Sequence, residues 1–136
     1  MGLLVVCAAV SFWAWNRHHS DIKWIERASG VAIPAGINDL HIQRPREFCI
    51  AGKMTLPARD VEKFLKANRF TPRSDYPLNI ELGLDPAAFK DSAALKQWYG
   101  LEGRTQAHHW EFAFDPAVQA LWFVVLFPDA HGDPPP

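Results

Sequence analysis

Ala120–Phe127 (ALWFVVLF) limits the possible folds more than any other stretch of the chain. Extended, it places Leu121, Phe123, Val125 and Phe127 on one face and Ala120, Trp122, Val124 and Leu126 on the other. A strand that is apolar on both faces needs cover on both sides, so it belongs in the interior of a sheet. Its partner precedes it directly. His108, Trp110, Phe112 and Phe114 alternate with His109, Glu111, Ala113 and Asp115. Asp115-Pro116-Ala117-Val118-Gln119 supplies a turn with proline at its natural position, so Ala107–Phe127 predicts a hairpin. Pro128 closes the strand.

Glu47–Phe70 reads as a strand, a proline corner and a helix. Phe48, Ile50, Met54 and Leu56 alternate with smaller or polar neighbours, and Pro57 suits the first turn of the following helix. In that helix Val61, Phe64 and Leu65 form the apolar stripe, and Asn68 is an end signal. Upstream, Ile37–Gln43 reads as a strand, and Arg44-Pro45-Arg46 as the turn joining the two into a first hairpin. Ser20–Gly30 reads as a short helix with Ile22, Ile25 and Ala28 on one face, Trp24 widening it and Gly30 at its end. Between the hairpins, Pro72 and Pro77 break up Thr71–Leu84, and Asn79–Leu84 makes a short extended segment. Asp85-Pro86 starts a helical turn, and a further short helix opens at Asp91 or Ser92, with Leu95, Trp98 and Tyr99 clustering before Gly100.

The expected fold is therefore α+β: a four-stranded antiparallel sheet made from two hairpins, with helices on one face, preceded by an N-terminal hydrophobic anchor helix. Residues 1–19 form the anchor or signal-like segment, 20–128 the domain and 129–136 a proline-rich tail. The apolar second face of the last strand has three possible covers: the insert between the hairpins, a partner protein or the membrane surface.

Leu3–Trp15 (LLVVCAAVSFWAW) is the other strong feature. As a helix it is about 20 Å long, against about 30 Å for a hydrocarbon core, the length of a signal-peptide apolar region rather than a full span. Leu3, Leu4, Val6 and Phe12 are its apolar body. Trp13 and Trp15, followed by Arg17, His18 and His19, match an aromatic and basic membrane boundary. The preferred reading is a retained anchor; the alternative is a buried N-terminal helix. Arg17, Lys23 and Arg27 after the run favour a cytoplasmic domain, whereas a signal-like start favours export, and the extracytoplasmic side is the one expected.

The charge balance, 14 Lys and Arg against 15 Asp and Glu, gives no electrostatic footprint for nucleic acid. Six tryptophans suit cores, interfaces and membrane boundaries, where a large ring meets one polar N–H. Cys7 and Cys49 do not make a disulfide framework; Cys49 reads as a small apolar core residue. No phosphate loop, paired-cysteine zinc pattern, HExxH or GxSxG occurs. His108 and His109 on a strand point to opposite faces, and His18 and His19 on a helix lie about 100° apart, so neither pair suits one metal ion. His109 and Glu111 share a face at i,i+2, the one combination of imidazole and carboxylate in a well-defined element. Ser92, Thr105 and Cys49 have no base at a recognisable spacing, and His41 reads as an edge-strand residue. Neither an enzyme nor a cofactor or metal is expected.

Trp24-Ile25-Glu26-Arg27, Val31-Ala32-Ile33-Pro34, Met54-Thr55-Leu56-Pro57 and Asp60-Val61-Glu62-Lys63-Phe64-Leu65 follow one another in a recognisable order. Over Ile22–Phe127 the chain resembles a loose group of small bacterial exported or lipoprotein-like proteins of uncharacterised function. Leu4-Val5-Val6-Cys7 departs from a lipoprotein cleavage box, because Val6 is too large for its position. The resemblance implies packing motifs and brings no catalytic residues.

The function expected is a non-enzymatic, membrane-tethered accessory subunit of a membrane complex. Its contacts with membrane or partner would be made by Leu3, Leu4, Val6, Phe12, Trp13, Trp15, Trp24, Trp110, Trp122 and Val124. Small size and the absence of a motif equally suit an immunity- or inhibitor-type protein that neutralises a toxin or enzyme. A third reading, a small hydrolase or metal-binding protein, requires His108, His109 and Glu111 to converge with the insert between the hairpins.

Overall fold

The structure is a computed structural model and describes residues 19–73 and 97–127. Its frame follows from the two-faced apolar strand. Ala120–Leu126 (β6) lies inside a six-stranded sheet, hydrogen-bonded on one side to β2 (Cys49–Thr55) and on the other to β5 (His109–Asp115). Outside β2 lies β1 (Asn38–Arg46), and outside β5 lie β4 (Trp98–Arg104) and then β3 (Thr71–Arg73). The order is β1-β2-β6-β5-β4-β3, and every neighbouring pair is antiparallel.

Register puts the two halves of β6's pattern to use. Phe123 stands between Gly52 and Phe112, and Leu121 between Met54 and Phe114, on one face. Onto that face pack Trp24, Ile25 and Ala28 from helix α1 (described over 19–29) and Phe64 from helix α2 (Val61–Ala67), all in one buried cluster. The opposite face carries Cys49, Ala51, Trp98, Ala113, Trp122 and Val124, also buried. At its margins Lys53 Nζ lies 5.5 Å from the Trp122 ring and the Arg73 guanidinium 5.9 Å from the Trp98 ring.

Both helices end on left-handed residues. Gly30 (φ +72°) follows α1, and its N–H donates to Glu26 O at 2.8 Å. After α2, Arg69 adopts φ +60°; its N–H donates to Lys66 O and that of Phe70 to Leu65 O. This double closure is a Schellman turn, and the apolar contact that accompanies it is Phe64 against Phe70, 5.1 Å between centroids. Pro57 is extended (φ −60°, ψ 130°) and leads into a short 3₁₀ turn, Ala58–Asp60, rather than entering the helix itself.

The expected four-stranded α+β arrangement is corrected. The sheet has six strands, and among the described residues helix is confined to α1, α2 and the 3₁₀ turn, so the domain is mostly β. The missed pair, β3 and β4, comes from the stretch read as irregular and short-helical. Trp98, Tyr99 and Gly100 were expected to finish a helix; they open a strand in which Trp98 faces one side and Tyr99 and Leu101 the other. The glycine read as a stop signal is a strand position, as is Gly103, where a Cβ would come within 2.5 Å of the Trp110 ring. Glycine in a strand marks close approach as readily as an end. β3 carries Pro72 on an edge, where a strand tolerates its missing N–H. In the first hairpin β1 runs through Arg46 with two register shifts, and the turn falls at Glu47–Phe48, leaving Phe48 46% exposed. The anchor helix, the extended Asn79–Leu84, the helical starts at Asp85 and Asp91 and the 129–136 tail lie outside the described residues.

Candidate functional site: a groove beside helix α1

The connection between α1 and β1 is shaped by side chains rather than by regular structure. Ser29 Oγ donates to Ile25 O at 2.7 Å and accepts from Val31 N–H at 3.2 Å. Asn68 Oδ1 accepts from Ala32 N–H at 2.8 Å, while Asn68 Nδ2 donates to Ala32 O and to Phe64 O. Glu26 Oε1 accepts from Ile33 N–H at 2.8 Å. Three consecutive amides are thus satisfied by three side chains, and one of these, Asn68, joins the end of α2 to the connection. Replacing Asn68 with alanine removes all three of its bonds. Because the site is partly exposed, water takes over part of them, and the expected cost is about 1 kcal/mol. Hydrogen exchange should speed up at Ala32 and Ile33 while β6 amides keep their relative protection; unchanged exchange at Ala32 would refute the clasp.

The connection forms one wall of an open groove of about 600 Å³. Ile33, Ile37 and Leu40 line that wall, and Ile22 and Glu26 of α1 line the other. The four aliphatic side chains are half-buried, resting on the core while presenting their outer surfaces to the groove. His19 and Lys23 stand at its rim and also border a shallow notch of about 370 Å³ with Ser20 and Arg27. His19, Lys23 and Arg27 fall four residues apart, in one row on the exposed side of the helix. Both acids of the helix have partners: Glu26, within the groove, accepts from Ile33 N–H on the facing wall, and Asp21, buried, pairs with Arg44 Nη2 at 3.1 Å. A mainly apolar trough therefore runs beside a basic row, and the two share His19 and Lys23.

The residues singled out in the sequence lie elsewhere. Trp24 is 1% exposed, its ring 5.5 Å from Phe127 and 5.7 Å from His108, both edge-on. Trp122 and Val124 are each 1% exposed within the second face, and Trp110 is half-buried opposite Gly103 and Val125. Leu3, Leu4, Val6, Phe12, Trp13 and Trp15 fall outside the described residues. His108, His109 and Glu111 do not come together. His108 packs on the helix-bearing side against Trp24 with its Nε2 buried, while His109 and Glu111 belong to the opposite face. Among the described residues no group of three or more His, Cys, Asp or Glu is placed to hold a metal ion. Thr105 serves its turn, its Oγ1 accepting from Ala107 and His108 N–H; Cys49 is buried in the sheet, and His41 is exposed on β1. The groove was missed because its walls come from two segments that periodicity treats separately. The spacing of His19, Lys23 and Arg27 was the one signal for it in the sequence.

Comparison with protein-family models, with curated proteins and with solved structures finds no match.

Proposed function

We propose that the protein is a membrane-tethered, non-enzymatic domain that works as a protein-binding accessory subunit at the membrane surface. The observation that carries this reading is how closely the apolar run is coupled to the folded core. Asn16, Arg17 and His18 alone separate Trp15 from the described helix, a span of at most about 14 Å. That helix is bound to the sheet through Trp24, Ile25 and Ala28. A domain tied so closely to an anchor works on molecules in or beside the bilayer, without the reach of a long linker. Among the described residues no helix is long and apolar enough to cross a membrane, so the tether rests on Leu3–Trp15.

The test is purification of the full chain from its own membranes, with intact mass and identification of stoichiometric partners. Retention of Met1–Trp15 together with an integral membrane partner is the expected result. A chain that begins near Asn16 and travels alone would overturn it, and capture of one soluble toxin or enzyme would replace it with the inhibitor reading.

A further inference from the structure

We infer that the groove beside α1 and its adjoining notch hold one anionic phospholipid, with an acyl chain in the trough and the headgroup phosphate at the basic row. The inference rests on the membrane-tethered reading, which keeps the start of α1 close to the bilayer. The site itself is argued from its two chemistries.

An amphiphile needs an apolar channel and a polar cradle that meet along one line. Ile22, Ile33, Ile37 and Leu40 provide the channel. Lys23 and Arg27 provide the cradle, with the Ser20 hydroxyl beside them. The cradle itself is complementary to phosphate and unfavourable to a cationic headgroup: Lys23 and Arg27 border the notch, Asp21 is ion-paired with Arg44, and Glu26, which lines the trough, is turned onto Ile33 N–H. The backbone of the trough is pinned at three consecutive amides, so this wall is formed before a ligand arrives. In the sequence the row begins four residues after Trp15, and tryptophan is a residue type enriched at the interfacial level where headgroup phosphates lie. Basic residues there attract anionic lipid, each contributing about fivefold in affinity.

Two measurements on the full chain test this. Native mass spectrometry from detergent micelles containing equal phosphatidylglycerol and phosphatidylcholine reads the site. One phosphatidylglycerol should be retained in preference, and the preference should fall about fivefold for each of Lys23→Gln and Arg27→Gln. Ala35 is exposed and lines the trough, so Ala35→Glu places a carboxylate in the acyl path without entering the core, and it should abolish retention. All three positions are exposed, and unchanged thermal melts will show that the variants fold. Retention of the two lipids in equal amounts, or phosphatidylglycerol retention unaffected by Ala35→Glu, overturns the proposal. So does displacement of the lipid by millimolar inorganic phosphate, which would identify a simple anion site.

Flotation with pure phosphatidylcholine vesicles reads the tether independently of the site. A chain that floats but shows no lipid preference keeps its tether and loses the site. A chain that does not float yet retains phosphatidylglycerol selectively keeps the site and loses the tether.

Discussion

Phe123→Ala is expected to lower stability by about 3–5 kcal/mol, the range for removing a large buried aromatic side chain. Phe123 is fully buried in the middle of β6, cross-strand from Gly52 on one side and Phe112 on the other. Its ring lies 6.2 Å from that of Phe112, within the cluster that joins the sheet to both helices. The backbone around it is hydrogen-bonded on both edges, so the sheet has little freedom to collapse into the space left behind. Domains of this size have about 5–15 kcal/mol in total, and the loss should appear as a fall in Tm of about 10–20 °C. Val118→Ser, at a position 56% exposed, is the matched control and should stay within about 0.5 kcal/mol. Urea melts of the two variants decide the matter; a loss below 1 kcal/mol for Phe123→Ala would mean that the helices are not seated on this ring.

Gly52→Ala is expected to destabilise, against the ordinary trend in which alanine stiffens the unfolded chain and improves on glycine in a regular element. A Cβ at this position would stand 2.3 Å from the His41 carbonyl oxygen and 2.7 Å from Phe123 Cζ. The ring tip has some freedom to move, but the carbonyl belongs to the backbone of β1 and moves only with its strand. The expected cost is about 1–3 kcal/mol for alanine and more for valine, the range for overfilling a packed site. Because the backbone contact is the closer one, Gly52→Ala/Phe123→Leu should recover only part of the loss. Full recovery in the double variant would place the whole strain on the ring, and a stabilising Gly52→Ala would contradict the proximity of β1.

Much of the local structure was legible in the chain. The two-sided apolar pattern of Ala120–Phe127 called for an interior strand, and β6 is buried on both faces. Asp115-Pro116 gave the turn, where the Asp115 carboxylate accepts from Ala117 N–H at 2.8 Å. Gly30 was legible as a helix end. Such signals are local because they report steric and hydrogen-bonding limits within a few residues. Trp98–Arg104 failed the same reading. Glycine marks ends and close approaches alike, and only the ring of Trp110, supplied by the next strand, decides which applies at Gly103.

The tryptophans show the same division. Trp24 and Trp122 were read as candidate surface because aromatic residues serve cores and interfaces equally well. Burial depends on what lies opposite, and for Trp24 that is Phe127 and His108, about a hundred and about eighty positions away in the chain. The groove follows this rule too. Its basic row is a helical period that the sequence by itself determines, as are the apolar run that leads toward it and the strand and turn identities around β6. The trough required tertiary structure. Asn68 had to arrive from the far end of α2 to hold Ala32, and β1 had to pair with β2 to bring Leu40 opposite Ile22. Periodicity describes one segment against an unspecified environment. A cavity is defined by two segments at once, and their separation is set by hydrogen bonds and packing between residues distant in the chain.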